Sequence, residues 1–323
     1  MSRGGVEEEV VCVTGASGYV ASWIVKLLLH RGYTVKATVR DLSDPRRTEH
    51  LKALEGAKER LELLEADLVE EGSFDSVIDG CVGVFHTASP VIVATSNPQA
   101  DLFDPAVNGT LNVLKSCRRA KSVRRVVLTS STGAVVYNGK PIGPGVVVDE
   151  TWHSDPSFCH ENKVWYCLSK TLAEQAAWKF ARENDIDLVV MNPGIVFGPL
   201  LQPTLNLTSQ FVMDVIKGKP GFPLYQCVDV RDVAYAHVMG FEKSSASGRY
   251  LLVAESLTRI QLGHLLHKLY PSIVDAPIIR VDDNPIGEVS RKKAESLGVS
   301  FMAAEVSLKD TVESFKEKNF LKF

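Results

Sequence analysis

The amino-acid sequence predicts an α/β fold, with a doubly wound parallel sheet and a smaller C-terminal lobe. Short apolar runs alternate with helical patterns through residues 1–193, and a glycine-rich turn follows the first of these runs. Because strands that alternate with helices pair in parallel, both faces of the sheet are expected to be covered by helices. The crossovers between successive strands are expected to be right-handed.

The elements of the first half can be placed in order from their apolar patterns. Six buried strands are predicted at residues 10–14, 35–39, 61–66, 82–86, 125–131 and 187–191. Apolar residues at helical spacing predict helices at 22–30, 48–54, 105–120 and 164–184. Gly32 is expected to close the first helix.

The pattern changes after Pro193. Turns rich in proline and glycine appear, and only short helices are predicted, at 261–269 and 290–297. We therefore expect residues 1–193 to form the main domain and 194–323 mainly a smaller lobe. Residues 228–254 are expected to return to the main sheet, because 249–253 could form one more strand.

The composition excludes several classes of protein. The chain has 323 residues, of which 45% are hydrophobic, and a formal net charge of -3. The core can therefore be large, and no basic excess argues for nucleic acid. No segment approaches the roughly 18 uninterrupted apolar residues of a membrane span. The polar, acidic segment 1–9 matches neither a signal nor a transit peptide, so we expect a cytoplasmic protein.

The six cysteines do not indicate a metal site. None of them forms a C-x-x-C pair, and no cysteine–histidine spacing is typical of zinc. We expect reduced thiols and no bound metal.

The glycine-rich turn lies between the first strand and the first helix. Gly15 allows a tight turn, Gly18 lets the backbone approach a pyrophosphate, and Ala21 allows close packing of the helix on the sheet. The unpaired N–H groups of the helix N-terminus favour the anion. The turn therefore predicts a dinucleotide site in a Rossmann sheet. Its expected contacts are Gly15, Ala16, Ser17, Gly18, Tyr19 and Val20.

The end of the second strand selects the cofactor. An NAD site would place an acidic residue there, whereas this chain has Arg40, with Arg47 seven residues later. A guanidinium can bind a 2′-phosphate through two hydrogen bonds, so NADPH is favoured. The alternative is that Asp41 takes the acidic role and Arg40 is a solvated surface charge.

The ends of the third and fourth strands supply further cofactor contacts. Asp67 and Leu68 are expected to face the adenine. Thr87, Ala88 and Ser89 are small and let the cofactor pass close to the sheet. Both assignments depend on the strand order of the doubly wound fold.

Three residues form the candidate catalytic centre. Tyr166 and Lys170 are four apart on a predicted helix and therefore share one face. A nearby ammonium favours the phenolate, so Lys170 is expected to lower the pKa of Tyr166, and it can also hold the nicotinamide ribose. Ser131, at the end of the fifth strand, can hydrogen-bond a carbonyl oxygen. Together they predict the reduction of a carbonyl group.

Taken together, these motifs resemble the extended short-chain dehydrogenase/reductases. The similarity is greatest to the plant group of dihydroflavonol reductases, cinnamoyl-CoA reductases and phenylacetaldehyde reductases. It is carried by residues 11–19, 84–90, 128–131, 168–174, 192–199 and 229–234. The resemblance implies NADPH, the Ser131–Tyr166–Lys170 centre and a C-terminal substrate lobe. It also implies that Pro193, Gly194, Ile195 and Val196 lie against the nicotinamide and Thr208 near the phosphates.

Two departures from this group bear on the substrate. Dihydroflavonol reductases carry an asparagine that grips flavonoid hydroxyls, and the matching residue here is Val136. Cinnamoyl-CoA reductases carry Asn-Trp-Tyr-Cys-Tyr-Gly-Lys, whereas residues 164–170 read Val-Trp-Tyr-Cys-Leu-Ser-Lys. The resemblance therefore favours an aromatic aldehyde of the phenylacetaldehyde or cinnamaldehyde type, reduced to its primary alcohol.

Two other functions stay open. A cinnamoyl-CoA reductase would convert a thioester to an aldehyde and would need basic residues for the CoA phosphates. A non-catalytic NADPH-binding regulator would not need the intact Ser131, Tyr166 and Lys170. In the favoured reading NADPH delivers hydride and Tyr166 donates the proton.

Fewer motifs support the predictions of the substrate-binding residues and of the oligomeric state. Pro90, Val91, Val136 and Leu205 would form an apolar wall for an aromatic ring, or they could be ordinary packing. By resemblance to cinnamoyl-CoA reductases, Cys159 and Cys167 could bridge, and two reduced thiols are the alternative. We expect a monomer or weak homodimer, with a small aromatic carbonyl substrate as its partner.

Overall fold

A computed structural model describes residues 9–92, 95–275 and 287–322. The strands are β1 Val10–Thr14, β2 Thr34–Val39, β3 Leu61–Glu65, β4 Gly83–His86, β5 Arg125–Thr129, β6 Val147–Val148, β7 Leu188–Pro193, β8 Ile195–Phe197, β9 Leu224–Asp229, β10 Gly248–Leu252, β11 Glu255–Thr258 and β12 Glu288–Val289. The helices are α1 Tyr19–His30, α2 Pro45–Lys52, α3 Ala57–Arg60, α4 Asp75–Ile78, α5 Asp104–Arg119, α6 Pro156–Glu161, α7 Trp165–Glu183, α8 Leu207–Ile216, α9 Val230–Glu242, α10 Arg259–Leu269, α11 Lys292–Ser296 and α12 Ala304–Glu317.

Seven parallel strands form the main sheet, in the order β10-β7-β5-β4-β1-β2-β3. This order confirms the doubly wound fold, because successive strands add outward from β1 in one direction and then from β4 in the other. Each of the six predicted strands is present. The seventh, Gly248–Leu252, pairs with β7.

Two smaller sheets lie outside the main one. In the first, β9 pairs in parallel with β8 and antiparallel with β11. In the second, β6 pairs with β12. The sequence analysis did not predict strands β6, β8, β9, β11 and β12, because each is short or lies in a stretch without regular alternation.

The apolar residues divide between the two faces of the sheet. Helices α1 and α9 cover one face, where Ile24, Leu28 and Val233 are fully buried. Helices α5 and α7 cover the other, where Val113 and Ala177 are fully buried. Both faces of the parallel sheet are thereby removed from water, as the unbroken apolar strands predict.

The second helix begins earlier than predicted. The Asp44 side chain accepts a hydrogen bond from the backbone N–H of Arg46, and Pro45 occupies the first helical position. Both are standard helix-start signals. The apolar spacing alone predicted a start at Thr48, because it does not include the cap.

Within the described parts of the chain, no helix is long and apolar enough to cross a bilayer. In the same residues no group of three or more His, Cys, Asp or Glu side chains could hold a metal ion.

The strand order fixes where a ligand can bind. β1 and β4 are neighbours, but the chain leaves them toward opposite edges of the sheet. In open α/β sheets such a switch point opens a crevice at the carboxyl ends of the strands. The glycine turn after β1 and the segment after β4 both lie at this edge.

Candidate active site

A cleft of about 850 Å³ lies along the carboxyl ends of the main-sheet strands. Its volume suits a ligand larger than a single small metabolite. The predicted site residues that line it are Gly15, Ser17, Gly18, Tyr19, Val20, Arg40, Arg47, Asp67, Leu68, Thr87, Ala88, Ser89, Pro90, Val91, Ser131, Tyr166, Lys170, Pro193, Gly194, Val196 and Thr208. The structure thus brings together residues that lie far apart in the sequence.

The glycine turn is held to the neighbouring strand by Thr38. The backbone N–H of Gly15 donates to Thr38 Oγ1 at 3.2 Å, and that of Ala16 donates to the Thr38 carbonyl oxygen at 2.8 Å. Ala16 is fully buried and does not line the cleft. The prediction that Ala16 contacts the cofactor is therefore not supported, because its N–H is already paired within the fold.

Two glycines in the cleft walls stand where there is no room for a side chain. Gly15 has a φ of 64°, and a Cβ there would meet Ala88 Cβ at 2.9 Å. A Cβ on Gly194 would meet the carbonyl oxygen of Gln226 at 2.1 Å. Only glycine fits at these positions, because the backbone there lies directly against Ala88 and Gln226.

The turn after β1 and the segment after β4 are fastened together beneath the cleft. Thr14 Oγ1 accepts hydrogen bonds from the backbone N–H groups of Thr87 and Ala88, each at 3.1 Å. The same hydroxyl lies 2.9 Å from Nδ1 of the buried His86. Tyr19 extends away from this point, and its hydroxyl donates to the Gly198 carbonyl oxygen at 2.7 Å. These bonds fix the floor of the cleft independently of a ligand.

Arginines stand at the end of β2, as predicted. Arg40 and Arg47 line the cleft. Arg47 is half-buried and pairs with Asp44 at 3.3 Å, whereas Arg46 is 73% exposed and pairs with the same carboxylate outside the cleft lining. The Asp44 carboxylate therefore faces two guanidinium groups. A phosphate bound at this end of the cleft could contact Arg40 and Arg47.

Asp67 and Leu68 line the cleft beyond the end of β3. The Asp67 carboxylate accepts a hydrogen bond from the backbone N–H of Val69 at 3.0 Å. The backbone N–H of Asp67 itself donates to Ser73 Oγ at 2.9 Å. The turn is thus shaped by its own hydrogen bonds, which hold Leu68 at the cleft wall.

Ser131 and Tyr166 form a hydrogen-bonded pair at the inner end of the cleft. Ser131 Oγ also accepts from the backbone N–H of Gly133 at 3.0 Å. Burial raises the pKa of Tyr166 to about 12, although the Ser131 hydrogen bond acts to lower it. The tyrosine is therefore protonated near neutral pH, which suits a proton donor rather than a base.

Lys170 lies one helical turn beyond Tyr166 and is also buried. Its Nζ donates to the Thr129 carbonyl oxygen at 2.8 Å. Burial lowers the pKa of Lys170 to about 8, and the charge of Glu174 acts to raise it. The expectation that Lys170 lowers the pKa of Tyr166 is not what the structure shows, because burial of the phenol outweighs other influences on it.

Besides Ala16, three predicted contacts lie outside the cleft lining. Val136 follows a 3₁₀ turn at Thr132–Ala134 and packs against a small cluster that includes Val148 and Leu251. Leu205 and Ile195 pack against the main core. Of the predicted apolar wall, Pro90 and Val91 line the cleft, whereas Val136 and Leu205 pack against apolar clusters outside it, and their contact with a substrate stays a prediction.

Cys159 and Cys167 are free thiols near one tyrosine. The Cys159 thiol lies 3.7 Å from the Tyr137 carbonyl oxygen, and Cys167 is hydrogen-bonded to the Tyr137 hydroxyl. Burial raises the pKa of Cys159 to about 11 and that of Cys167 to about 12. Both thiols are therefore protonated near neutral pH, and a bridge between them stays a prediction.

Several residues of the cleft were missed in the sequence analysis. They are Thr38, Val69, Phe74, Ile92, Asp101, Pro105, Thr129, Ser130, Asn206 and Leu207. Thr129 and Ser130 directly precede Ser131 and could have been found from the strand end. Asp101 and Pro105 come from the approach to α5 and carry no motif, so only the folded chain shows their position.

The arrangement fits a nicotinamide dinucleotide. Glycines without room for a Cβ line one wall, arginines stand at one end, and a tyrosine–serine pair lies at the other. These features match the needs of a pyrophosphate, a 2′-phosphate and a carbonyl substrate in that order.

Comparison with known proteins identifies the family. Residues 11–254 match the model of the NAD dependent epimerase/dehydratase family. The chain is 56% identical over 316 residues to cinnamoyl-CoA reductase CAD2 of Medicago truncatula, which covers 96% of this chain and 97% of that protein. It is 49% identical over 319 residues to cinnamoyl-CoA reductase 1 of Arabidopsis thaliana, covering 97% of this chain and 91% of that protein.

A solved structure agrees with this assignment. The crystal structure of the yeast methylglyoxal/isovaleraldehyde reductase Gre2, complexed with NADPH, superposes with a TM-score of 0.87 and 28% sequence identity. The match covers 97% of this chain and all of that one, at 100%. The resemblance to the plant cinnamoyl-CoA reductase group is confirmed by the two plant relatives.

Proposed function

The chain belongs to the NAD dependent epimerase/dehydratase family, and we propose that it is an NADPH-dependent cinnamoyl-CoA reductase, which converts a hydroxycinnamoyl-CoA thioester to the aldehyde. Two observations carry this proposal. The 56% identity to a cinnamoyl-CoA reductase extends over 96% of the chain, and a complete Ser131–Tyr166–Lys170 set lines the cleft. The chain is an oxidoreductase, and the regulator hypothesis is not favoured.

The residues expected to hold the cofactor follow from the cleft. The backbone of Gly15 and Gly18 would receive the pyrophosphate, and Arg40 and Arg47 the 2′-phosphate. When bound, NADPH supplies a hydride to the carbonyl carbon of the substrate.

Ser131 and Tyr166 would act on the carbonyl oxygen. Their hydroxyls are paired in the cleft, so both are close enough to share one acceptor. Each hydrogen bond would strengthen as negative charge grows on that oxygen. Tyr166, protonated at neutral pH because burial raises its pKa to about 12, donates its proton to the oxygen. With a thioester, the hemithioacetal formed in this way would return its hydroxyl proton to Tyr166 as the carbon–sulfur bond breaks. The released CoA thiolate would take a proton from solvent, which leaves the aldehyde and the free CoA thiol.

Lys170 would orient the substrate end of the cofactor. Its ammonium is fixed by the Thr129 carbonyl oxygen and lines the cleft beside Tyr166. As a cation it would also offset the negative charge left on the Tyr166 oxygen when the tyrosine gives up its proton.

A second candidate is the reduction of an aromatic aldehyde to its alcohol. It is supported by the residues around Tyr166, where Leu168 and Ser169 depart from the pattern of cinnamoyl-CoA reductases. The exposed apolar side chains of Val91 and Ile92 at the cleft would suit an aromatic ring in either case. The curated relatives support the thioester better.

The experiment that separates them is a parallel assay. Purified protein is given NADPH and, in turn, feruloyl-CoA, coniferaldehyde and phenylacetaldehyde. We expect the highest kcat/KM with feruloyl-CoA and release of free CoA thiol equal to the NADPH consumed. Turnover of the aldehydes alone would establish the second candidate instead.

We also expect a monomer or weak homodimer that works in the cytoplasm. Light scattering across a range of protein concentrations tests the first part, and localisation of a tagged chain tests the second.

A further inference from the structure

A buried carboxylate that belongs to no recognised part of the reaction lies behind the catalytic centre. Glu174 is on α7, four residues after Lys170, and only 4% of it is exposed. A charged group this deeply buried is costly unless it is fully paired. Its partners therefore indicate what it is placed to do.

Two of these partners lie at the strand ends of the active site. Glu174 Oε2 accepts a hydrogen bond from Ser130 Oγ at 2.5 Å and another from Asn192 Nδ2 at 2.9 Å. Ser130 is the neighbour of Ser131 in the chain. Asn192 also donates to the Ser131 carbonyl oxygen at 3.1 Å and directly precedes Pro193. One carboxylate oxygen thus joins α7 to the ends of both β5 and β7.

The other oxygen is balanced by an arginine from the edge strand. Glu174 Oε1 lies 2.6 Å from Arg249 Nε, and the two side chains are 5% and 6% exposed. The guanidinium of Arg249 also donates to the carbonyl oxygens of Trp152 at 2.5 Å and Ala134 at 3.2 Å. Arg249 therefore ties the Glu174 carboxylate to the edge strand and to the carbonyl oxygens of Trp152 and Ala134.

We propose that Glu174 is a positioning residue of this centre: its carboxylate fastens the helix that carries Tyr166 and Lys170 to the strand ends that carry Ser131 and Pro193, and it places a negative charge beside Lys170. The inference rests on the proposed function of Ser131, Tyr166 and Lys170. It adds a residue that touches neither substrate nor cofactor.

The charges around Lys170 support the second part of this role. His86 faces Lys170 from β4, and burial lowers its pKa to about 3, so it is neutral near pH 7. Tyr166 is protonated there as well. Among the described residues, Glu174 is the carboxylate whose charge acts on Lys170, and it opposes the burial that lowers the lysine pKa to about 8.

The charges that face Glu174 itself are Arg249, Lys170 and His153. His153 lies beside Arg249, and its pKa is lowered by burial and by that guanidinium. The carboxylate is thus held between two cations, and its removal leaves both Lys170 and Arg249 without their buried counter-charge.

The test compares the pH dependence of kcat and of the NADPH dissociation constant in four variants. Glu174→Gln keeps the size of the side chain and removes its charge, whereas Glu174→Asp keeps the charge and shortens the reach. Ser130→Ala removes one hydrogen bond only. Glu183→Gln is the matched control, because Glu183 is exposed at the far end of the same helix.

In Glu174→Gln we expect the alkaline loss of activity and of NADPH binding to begin about one to two pH units lower than in the wild type. We also expect kcat at pH 7 to fall about tenfold or more, because the reacting groups are less well oriented. Glu174→Asp and Ser130→Ala should lower kcat. In both variants the alkaline loss of activity should begin at the same pH as in the wild type. Glu183→Gln should change neither quantity.

The inference would be overturned if Glu174→Gln kept the wild-type kcat and lost activity at the same alkaline pH as the wild type. It would also be overturned if Glu183→Gln lowered that pH as much as Glu174→Gln does. If Glu174→Gln does not fold, the other two variants decide. Wild-type kcat in both Glu174→Asp and Ser130→Ala overturns the inference. A lowered kcat, with the alkaline loss of activity at its wild-type pH, supports it. A wild-type protein that reduces no carbonyl would contradict the proposed function instead. The pH dependence of NADPH binding would then still test the role of Glu174.

Discussion

At the scale of single residues, the centre combines a weak acid with a buried cation. Burial raises the pKa of Tyr166 to about 12 and lowers that of Lys170 to about 8. In the direction of reduction the tyrosine must start protonated, and its raised pKa keeps it protonated near neutral pH. The oxygen that it meets becomes a far stronger base as the hydride arrives.

Replacement of the acid tests this directly. Tyr166→Phe should lower kcat for reduction by about 10²- to 10⁴-fold, the usual range for the loss of a general acid. NADPH affinity, measured by fluorescence titration, should stay within about threefold, since the ring and its packing remain. Tyr33→Phe, which removes a surface hydroxyl bonded to Glu242, is the control and should behave as wild type. Undiminished turnover in Tyr166→Phe would refute the mechanism.

The arginine at the rim should decide between the two nicotinamide cofactors. Arg47→Ala should raise KM for NADPH about tenfold to a hundredfold, because a charge-assisted contact is lost, and leave KM for NADH unchanged. Arg46→Ala removes a neighbouring guanidinium that is 73% exposed and outside the cleft lining, and it serves as the matched control. Equal effects of the two substitutions would show that general charge, not a phosphate contact, is responsible.

Sequence motifs predicted the catalytic residues, because each of them has a fixed place at the end of a strand or on one face of a helix. Ser131, Tyr166 and Lys170 line the cleft because a strand end and a helix face fix them. Val136 lies outside the cleft lining, because a short 3₁₀ turn redirects the chain after Ser131, and its contact with a substrate stays a prediction. Periodicity does not predict such a turn.

At the scale of elements, the turn after β1 determines whether a dinucleotide fits. Gly15→Ala would strain a φ of 64° and push a methyl group against Ala88. We expect NADPH affinity to fall about tenfold or more and the melting temperature to fall as well.

Gly32→Ala provides the control for strain alone. Its φ of 90° is also positive, but a Cβ there meets nothing within 4 Å. The melting temperature should fall in this variant while NADPH affinity is retained. Loss of affinity in both variants would mean that instability, and not the shape of the turn, weakens binding.

The main-sheet strands and the longer helices of the first half were predictable because each combines an apolar pattern with a clear end. The strands of the two small sheets were not, since their pairing joins distant parts of the chain. β9, for example, pairs with β8 and β11, and no local signal specifies either partner.

At the scale of the whole molecule, two buried histidines link stability to pH. Burial lowers the pKa of His86 to about 3 and that of His237 to about 4. The unfolded chain takes up these protons near pH 6.5, so the stability is present above that pH and is lost as the pH falls toward 4. Asp232, with its pKa raised to about 6, acts in the opposite direction.

Because two histidines oppose one carboxylate, the melting temperature should fall between pH 7 and pH 5. His237→Gln should flatten this dependence, and the exposed His30→Gln should leave it as in the wild type. A melting temperature that is constant or rises over this range would contradict the assignment.

The whole cleft, with cofactor residues from the main sheet and Asn206 to Thr208 from beyond β8, is what makes the chain an NADPH-dependent reductase. The most direct test is to incubate the protein with feruloyl-CoA and NADPH deuterated at the nicotinamide C4, and to analyse the product by mass spectrometry and NMR. We predict an aldehyde with one deuterium on its formyl carbon and one equivalent of free CoA thiol. No deuterium in the product, or an unchanged thioester, would contradict it.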